Sequence, residues 1–353
     1  MSMLQKHRIR VLIVDDSALV RRILSDGIKR DPDLEVIGEA SNPYAARDIM
    51  VENRPDVITL DVEMPKMDGV TFLKHYMPVM PIPTIMISSL TQQGQRITLD
   101  ALESGAVDFI PKPQVGVVDE LPKLQEEINR RIKSAAQISV AHLKRENRRE
   151  VRAVTNLGST TDRVIAIGSS TGGVEALTRI LPAFPADAPG IVIVQHMPGG
   201  FTHSFAERLN ELCRMQVKEA EEGDRVQPGR ILLAPGGLKH MTVVRSGGQY
   251  RVALIDGDPV NYSRPSVDVL LNSVARAAGV NVAAAILTGM GKDGAEGLLA
   301  IRQAGGRTLA QDEETSVVFG MPSVAWSLGG AESLAPLENI PALLVNALQR
   351  RDN

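Results

Sequence analysis

A loop rich in hydroxyls and glycines follows a strand-like run in the stretch VIAIGSSTGGVEAL, residues 164–177. It fits the pattern G-x-S-x-G with Ser170 at the centre, and between a strand and a helix that serine occupies a sharp turn that exposes its hydroxyl. The amides at the start of the following helix can stabilise an oxyanion. The lysine of a Walker loop is missing, and G-x-G-x-x-G does not fit here. The loop therefore predicts a nucleophilic Ser170, with a packing turn or a phosphate-binding turn as alternatives.

A serine nucleophile needs a base, and His196 is the best placed of the six histidines. It directly ends the strand-like run GIVIVQH, where a neighbouring strand would bring it beside Ser170. His240, in GGLKHM, is a weaker alternative, and His203 begins a helical pattern typical of a surface residue. A metal pair of His196 and His203 is disfavoured, because their separation is not a usual zinc spacing.

The base needs an orienting acid, and Asp293 is the first candidate because it lies just past the strand-like run VAAAILTG. Asp256 and Asp268 compete for this role, although Asp268 reads as an acid at a helix start, where it is stabilising in any case.

The segment around Asp293 also reads GMGKDG, a G-x-G-x-x-G pattern at residues 289–294. The next strand-like run ends at Asp312, about where a ribose-binding acid is expected. Such a fingerprint normally opens its domain, whereas this one lies near the end of the chain, and Asp293 would place a negative charge close to a pyrophosphate. Both points disfavour nicotinamide-cofactor binding, which is kept as the alternative hypothesis for this segment.

A second group of reactive residues lies in the first half of the chain. Asp15, Asp16 and Asp61 follow strand-like runs, and carboxylates that converge on one sheet edge repel one another unless a cation lies among them. Oxygen ligands of this kind suit Mg²⁺, which pairs with phosphate. Ser88 and Lys112 end two further runs, so the set predicts phosphoryl transfer to a carboxylate.

Alternating strand-like and helix-like runs must position both groups. The first half carries the runs IRVLIVDD, LEVIGEA, PDVITLD, PTIMISS and AVDFIPKP, with helical patterns between them. This alternation predicts a parallel sheet covered by helices on both faces. The second half predicts another α/β sheet with one hairpin, from the runs RVIAIGS, GIVIVQH, RILLAP, MTVVRS, YRVALID, VAAAILTG and GRTLAQD.

A basic connector separates the halves. Residues 121–154 begin as an amphipathic helix and become very basic, and the run KRENRRE has no apolar face. A solvated helical linker is favoured over nucleic-acid binding, because no aromatic residues interleave with the charges. Contact with an acidic partner protein is the remaining alternative.

The composition bounds the function. The chain has 353 residues, which suggests about two domains. A net charge of -3 argues against a positive electrostatic field over the whole chain that would attract nucleic acid. The single Cys213 excludes internal disulfides and cysteine-rich zinc sites. The N-terminal apolar run is too short for a signal peptide, and no run is long enough to span a bilayer. A cytoplasmic protein without membrane insertion is therefore expected.

Residues 8–125 resemble the receiver domain of bacterial response regulators. The resemblance is carried by the acids after the first and third strands, the hydroxyl after the fourth, the KP after the fifth, and the loop MPKMDG. It implies a flavodoxin-like fold with a five-stranded parallel sheet. By the same resemblance the phosphoacceptor is Asp61, the Mg²⁺ site comprises Asp15, Asp16, Asp61 and a backbone carbonyl near Glu63, and the switch residues are Ser88, Phe109 and Lys112.

The second half resembles the catalytic domain of the chemotaxis protein-glutamate methylesterase (CheB) family. The segments GSSTGG, VQHMPGGFTHSFAERL, RPSVDVLL, LTGMGKDGAEG and AQDEETSVVFGMP carry this resemblance, and with the receiver it covers nearly the whole chain. It implies a doubly wound α/β methylesterase domain at residues 161–353, joined to the receiver by a helical basic linker at residues 126–160. It also implies Ser170 as nucleophile, His196 as base and Asp293 as orienting acid, with Met290 and Thr171 at the oxyanion hole.

The resemblance further implies a function. It predicts phosphorylation-regulated hydrolysis of glutamyl methyl esters on chemoreceptors, with release of methanol, and deamidation of receptor glutamines during sensory adaptation. The implied partners are methyl-accepting chemoreceptors as substrate and a chemotaxis histidine kinase as phosphodonor, with no nucleic acid. Mg²⁺ is expected for receiver phosphorylation and no cofactor for ester hydrolysis.

Overall fold

A computed structural model describes residues 7–112, 121–138, 151 and 162–349. The chain divides into two compact units, Met1–Glu146 and Asn147–Asn353. Each unit contains a parallel sheet, and helices connect most of its neighbouring strands, which confirms the predicted α/β class. Among the described residues, no helix combines the length and the apolar character needed to cross a membrane.

The first unit is built on a parallel sheet in the order β2-β1-β3-β4-β5. This is the predicted flavodoxin-like order, in which ligands bind at the carboxyl ends of the strands. The elements are β1 (Ile9–Val14), α1 (Ala18–Lys29), β2 (Leu34–Ala40), α2 (Pro43–Glu52), β3 (Val57–Asp61), α3 (Gly69–Tyr76), β4 (Thr84–Ser88), α4 (Gln92–Glu103), β5 (Asp108–Pro111) and α5 (Leu121–Ala135).

Helix α5 extends past residue 125, the predicted end of the receiver domain. Arg131 Nη1 donates to Asp108 Oδ1 at 2.8 Å and to the Phe109 carbonyl at 2.9 Å, and Asn129 Nδ2 donates to the Gly27 carbonyl at 3.2 Å. These contacts place the helix with the first unit as far as its end at Ala135. Of the predicted linker, residues 126–160, only 126–138 and 151 lie within the described residues.

The second unit has a longer parallel sheet in the order β15-β14-β13-β6-β7-β10-β8. Its elements are β6 (Val164–Ser169), α6 (Gly173–Ile180), β7 (Gly190–Gln195), α7 (Phe201–Leu212), β8 (Gln216–Glu219), β9 (Arg225–Val226), β10 (Arg230–Leu233), β11 (His240–Ser246), β12 (Gln249–Ile255), α8 (Val267–Ala278), β13 (Val282–Ile286), α9 (Ala295–Gln303), β14 (Arg307–Gln311), α10 (Met321–Ser327), β15 (Ser333–Ala335) and α11 (Ile340–Gln349). Strand order reverses around β6, the kind of position where open α/β sheets place their sites.

The predicted hairpin is formed by β11 and β12, which pair antiparallel and are joined by β9 in a separate small sheet. Val243 and Val252 of the hairpin are buried in one apolar cluster with Leu270 and Val274 of α8. The hairpin and the main sheet therefore share this helix as part of a common core.

Helix α8 begins in very close contact with the sheet. A Cβ atom on Gly168, at the end of β6, would lie 2.2 Å from Val267 Cγ1, and one on Gly294 would lie 2.5 Å from the same atom. Both distances are far below ordinary carbon–carbon contact. Only glycine at these two positions lets the first turn of α8 reach the carboxyl edge of the sheet.

Candidate functional site

The three predicted metal-binding acids of the first unit lie together. Asp15 and Asp16 follow β1 and Asp61 ends β3, and one carboxylate oxygen from each lies within 4.8 Å of the others. Asp15 and Asp61 are fully buried, whereas Asp16 is exposed. Glu63, predicted to contribute a carbonyl, donates its amide to Asp61 Oδ1 at 3.1 Å.

Lys112 reaches the acids from the end of β5. Its Nζ lies 2.7 Å from Asp61 Oδ2 and 3.6 Å from Asp15 Oδ2. Burial nevertheless raises the pKa of Asp61 to about 7, because it outweighs the hydrogen bond from Lys112. Burial also raises the pKa of Asp15. The lysine alone therefore leaves negative charge at this site poorly compensated.

The surroundings of one carboxylate oxygen indicate that this cluster fits a cation. Asp15 Oδ2 is buried and has no hydrogen-bond partner among the described residues. Since a buried carboxylate oxygen is costly without a donor or a cation, this orphaned oxygen among neighbouring carboxylates fits a hard ion that prefers oxygen ligands, such as Mg²⁺.

The predicted switch residues surround the same strand ends. Ser88 is fully buried at the end of β4, and its Oγ lies 2.6 Å from Thr98 Oγ1 on α4. Phe109 on β5 is 3% exposed. The Ser88 hydroxyl thus faces α4 and is hydrogen-bonded to Thr98 on that helix, not to the acids.

In the second unit, three neighbouring strands bring the predicted catalytic residues to one edge. Strands β13, β6 and β7 are adjacent, and Ser169 pairs with Gln195 at the last register position of β6 and β7. Ser170 and His196 follow directly after this pair, and the His196 amide donates to the Ser169 carbonyl at 3.0 Å, so the two residues lie side by side. No hydrogen bond between Ser170 Oγ and His196 is present among the described contacts.

His196 is paired with Asp293. Its Nε2 lies 2.8 Å from Asp293 Oδ2, and its Nδ1 lies 3.3 Å from Ser263 Oγ. A carboxylate can only accept, so Nε2 carries the proton and Nδ1 is left to accept one. The nitrogen available to act as a base is therefore Nδ1.

Asp293 is held by more than the histidine. Oδ2 also accepts from the Val267 amide at 2.7 Å, and Oδ1 accepts from Ser266 Oγ at 2.7 Å and from the Asp268 amide at 3.1 Å. Burial acts to raise the pKa of Asp293, but the hydrogen bond and charge of His196 and these further donors outweigh it, and the pKa lies below its ordinary value. The N-terminus of α8 thus keeps this acid ionised.

Sequence reasoning missed Gln195, which is 3% exposed. Its Oε1 accepts from Ser169 Oγ at 2.6 Å, and its Nε2 donates to the carbonyls of Ser170 at 2.9 Å and His196 at 3.1 Å. The side-chain amide of Gln195 therefore binds the backbone of both Ser170 and His196, the residues that carry the reacting groups. A glutamine that ends a strand carries no sequence signal for such a role.

The predicted oxyanion residues lie next to Ser170. A Cβ atom on Gly289 would lie 2.8 Å from Ser170 Cβ, so the loop that continues into Met290 runs directly beside the serine. Within the described part of the chain, no group accepts a hydrogen bond from the Met290 amide. Thr171 is 7% exposed, and its carbonyl accepts from Thr288 Oγ1 at 2.9 Å.

The alternative base and acids have other contacts. His240 is buried, with Nε2 against the Asp258 carbonyl at 3.0 Å and Nδ1 accepting the Ser266 amide at 3.1 Å. His203 is exposed, with its ring nitrogens at 3.5 and 3.7 Å from glutamate carboxylates. Asp256 is exposed, and Asp268 accepts the Gly297 amide at 2.7 Å. Burial raises the pKa of Asp268 to about 6.

The dinucleotide pattern at residues 289–294 also has a different use. Its acid, Asp293, faces His196, and its first glycine permits the close approach to Ser170. Asp312 accepts the amide of Thr315 at 2.9 Å and its hydroxyl at 2.6 Å, closing a local turn. These contacts occupy the residues that a dinucleotide would require.

Comparison with known proteins gives matches over both units. The CheB methylesterase family model matches residues 165–344, and the response regulator receiver domain model matches residues 11–124. A protein-glutamate methylesterase/protein-glutamine glutaminase of Syntrophotalea carbinolica is 54% identical over 352 residues, covering 98% of this chain and 99% of the relative. One from Pseudomonas aeruginosa is 52% identical, covering 97% and 98%. The crystal structure of the Thermotoga maritima CheB methylesterase catalytic domain is 42% identical, with a TM-score of 0.51, covering 52% of this chain and 97% of that one.

Proposed function

Because the chain belongs to the CheB methylesterase family, we propose a residue-level mechanism for its activity as a receiver-regulated protein-glutamate methylesterase and protein-glutamine glutaminase. The chain is a hydrolase with a response regulator receiver, which serves chemotaxis adaptation. The observation that carries the mechanism is the convergence of Ser170, His196 and Asp293 at the carboxyl ends of three adjacent strands.

Ser170 is the nucleophile and His196 Nδ1 the base. The Ser170 Oγ–carbon bond forms while the serine proton passes to Nδ1, and the charge that develops on the ring is balanced by Asp293 through Nε2. Ser263 Oγ, 3.3 Å from Nδ1, gives up this weak contact as Ser170 engages the ring.

The carbonyl oxygen becomes an oxyanion beside the Met290 amide, with Thr171 as a further contributor. The carbon–methoxy bond then breaks, and the proton on Nδ1 leaves with methanol. Water adds to the acyl-enzyme with His196 again as base, and glutamate and free Ser170 are restored. A primary amide passes through a similar tetrahedral intermediate that carries an amino group in place of the methoxy group. Its carbon–nitrogen bond breaks as the proton on Nδ1 leaves with ammonia, which accounts for deamidation of glutamine.

In the receiver, Asp61 is the phosphoacceptor, and Asp15, Asp16 and Asp61 would hold Mg²⁺, with Glu63 contributing its carbonyl. Mg²⁺ there would neutralise phosphoryl oxygens during the transfer. Lys112 pairs with the acids, and Ser88 and Phe109 respond to phosphorylation as the switch residues. No cofactor is assigned to ester hydrolysis itself.

The substrate is assigned as a methyl-accepting chemoreceptor, and the phosphodonor as a chemotaxis histidine kinase. The family of the chain supports both assignments. We propose accordingly that the protein acts in the cytoplasm and that it neither binds nucleic acid nor inserts into a membrane.

Methanol release from a methylated chemoreceptor fragment tests this function. Wild type, Ser170→Ala and Ser246→Ala are compared with and without acetyl phosphate and Mg²⁺. Ser246 is exposed at the end of β11 and serves as a matched serine-to-alanine control. Release is expected from wild type and Ser246→Ala, with stimulation by acetyl phosphate, and essentially none from Ser170→Ala.

Receiver control is tested in parallel with Asp61→Asn and the exposed control Asp26→Asn. Stimulation should vanish in the first variant, and in wild type when EDTA removes the metal. Full release by Ser170→Ala would refute Ser170 as the nucleophile, and no release by wild type would instead favour a receiver protein that acts as a non-enzymatic adaptor. Undiminished stimulation of Asp61→Asn would refute the phosphoacceptor.

A further inference from the structure

A two-residue turn beside the catalytic pair has an unusual composition. The Val260 amide donates to the Ser263 carbonyl at 3.1 Å, and the Ser263 amide donates back at 2.9 Å. The central residues, Asn261 and Tyr262, both have positive φ, at 50° and 64°. This is the backbone of a type I′ turn, whose second central position is normally glycine. Asn tolerates a positive φ, whereas for a bulky residue such as Tyr it is a strained outlier.

Both flanks of Tyr262 are tied to catalytic residues. Asn261 Nδ2 donates to Asp268 Oδ2 at 2.9 Å and to Asp293 Oδ1 at 3.3 Å. On the other side, Ser263 Oγ lies 3.3 Å from His196 Nδ1. The turn is therefore held against the His–Asp pair by the residues on either side of its tip.

Tyr262 itself is 85% exposed, the highest value among the exposed large apolar and aromatic residues described. Two further exposed apolar residues lie on backbone segments that are joined to this turn by the chain or by hydrogen bonds. Leu238 is 77% exposed and follows Gly237, whose carbonyl accepts from Arg264 Nε at 2.9 Å, and Val260 at the base of the turn is 36% exposed. We call Tyr262, Leu238 and Val260 the apolar rim.

The position of the apolar rim determines which part of a substrate can contact it. For Ser170 to attack, the ester carbonyl must come within about 3.5 Å of its hydroxyl. The esterified side chain belongs to a protein, so residues beside the modified glutamate must pass over the surface around the serine and its base. Exposed tyrosine is among the residues that most often dominate such contacts.

We propose that Tyr262 is a specificity-determining residue that contacts an apolar side chain next to the modified glutamate of the protein substrate. The inference rests on the proposed function, because it requires the substrate carbonyl at Ser170. Strain retained at a functional surface is typical of residues held in place for binding. The turn holds the backbone that carries the ring beside the His–Asp pair, which lowers the backbone ordering that binding would otherwise require.

Two substrates and three variants test the inference. The substrates are a methylated chemoreceptor fragment and N-acetyl-glutamate γ-methyl ester, which has no neighbouring residues. Tyr262→Gly removes the ring and relieves the backbone, so its thermal midpoint should be equal to or above that of wild type. Tyr262→Phe keeps the ring, and Tyr44→Ala, at a 51% exposed tyrosine of α2, is the control.

For Tyr262→Gly we expect KM for the receptor fragment to rise about tenfold with kcat nearly unchanged, as for loss of one central contact. Hydrolysis of the small ester should be unchanged, and Tyr262→Phe and Tyr44→Ala should resemble wild type on both substrates.

Three results would overturn the inference. Equal losses on both esters would show that the turn only positions His196 and Asp293. Unchanged KM for the receptor fragment would show that the ring makes no substrate contact, and a loss in Tyr262→Phe would assign the effect to the hydroxyl. Failure of the proposed function itself is separately visible, as absent methanol release by wild type on both esters.

Discussion

Replacing Asp293 by Asn should disable hydrolysis and destabilise the second unit together, because the carboxylate supports both. Every group hydrogen-bonded to it is a donor: His196 Nε2 and the Val267 amide at Oδ2, and Ser266 Oγ, the Asp268 amide and Asn261 Nδ2 at Oδ1. An Asn side chain presents one oxygen and one NH₂ group. Whichever way the amide is turned, its NH₂ group faces a backbone N–H that loses its acceptor.

The magnitude follows from these contacts. A buried donor left without a partner costs about 1–3 kcal/mol. For a unit of this size each kcal/mol lowers the unfolding midpoint by about 2–4 °C, so a fall of roughly 2–12 °C is expected. Catalysis should suffer more. If the NH₂ group faces His196, Nδ1 must carry the ring proton and cannot act as a base. If the oxygen faces His196, the positive ring loses its counter-charge. In serine proteases the equivalent change lowers kcat about 10⁴-fold, close to 5.5 kcal/mol.

Methanol release and calorimetry on the full chain measure the two effects. Asp268→Asn is the matched control, since this acid accepts from Asn261 and Gly297 and makes no hydrogen bond to His196. It should retain kcat within about tenfold of wild type. If Asp293→Asn kept more than a tenth of the wild-type kcat, the acid would not be the support of His196, and the assignment of Nδ1 as base would fail with it.

Gln195→Leu should lower kcat by about 10–100-fold with little change in KM, because two carbonyls next to the reacting groups and the Ser169 hydroxyl lose their shared partner. Methanol kinetics would show this, and a raised KM at full kcat would contradict it. Stability of the first unit should fall as pH rises from about 4 to 7 without metal, by up to about 4 kcal/mol, since folded Asp61 holds its proton to about pH 7 and the unfolded residue releases it near 3.8. Calorimetry in EDTA should show this slope for wild type and a reduced slope for Asp61→Asn; equal slopes would refute it.

The sequence predicted the groups that end strong strands. Asp61, Ser88 and His196 follow long apolar runs, and the parallel arrangement of those runs determines which edge they share. Both sheets were therefore predictable in kind. The edge strands β8 and β15 were missed, because QVKE and SLA are short and carry little apolar pattern.

The supports of the site were harder to predict, since each depends on a contact distant in the chain. Gln195 meets Ser169 26 positions away, and Ser266 meets Asp293 across 27 positions. The positive φ of Tyr262 leaves no trace in its residue type. Asp268 was correctly read as a helix-start acid, yet its amide also donates to Asp293, which only the folded chain reveals.

The close seating of α8 on the sheet widens the set of positions at which function is lost. Any side chain at Gly168 or Gly294 would displace Val267, and with it the amide that donates to Asp293. In a library of all single substitutions, these two glycines would tolerate replacement as poorly as Ser170, His196 and Asp293 do. Neither glycine has a side chain that could take part in the chemistry. A map of tolerated substitutions would therefore outline the packing of the first turn of α8 together with the reactive groups.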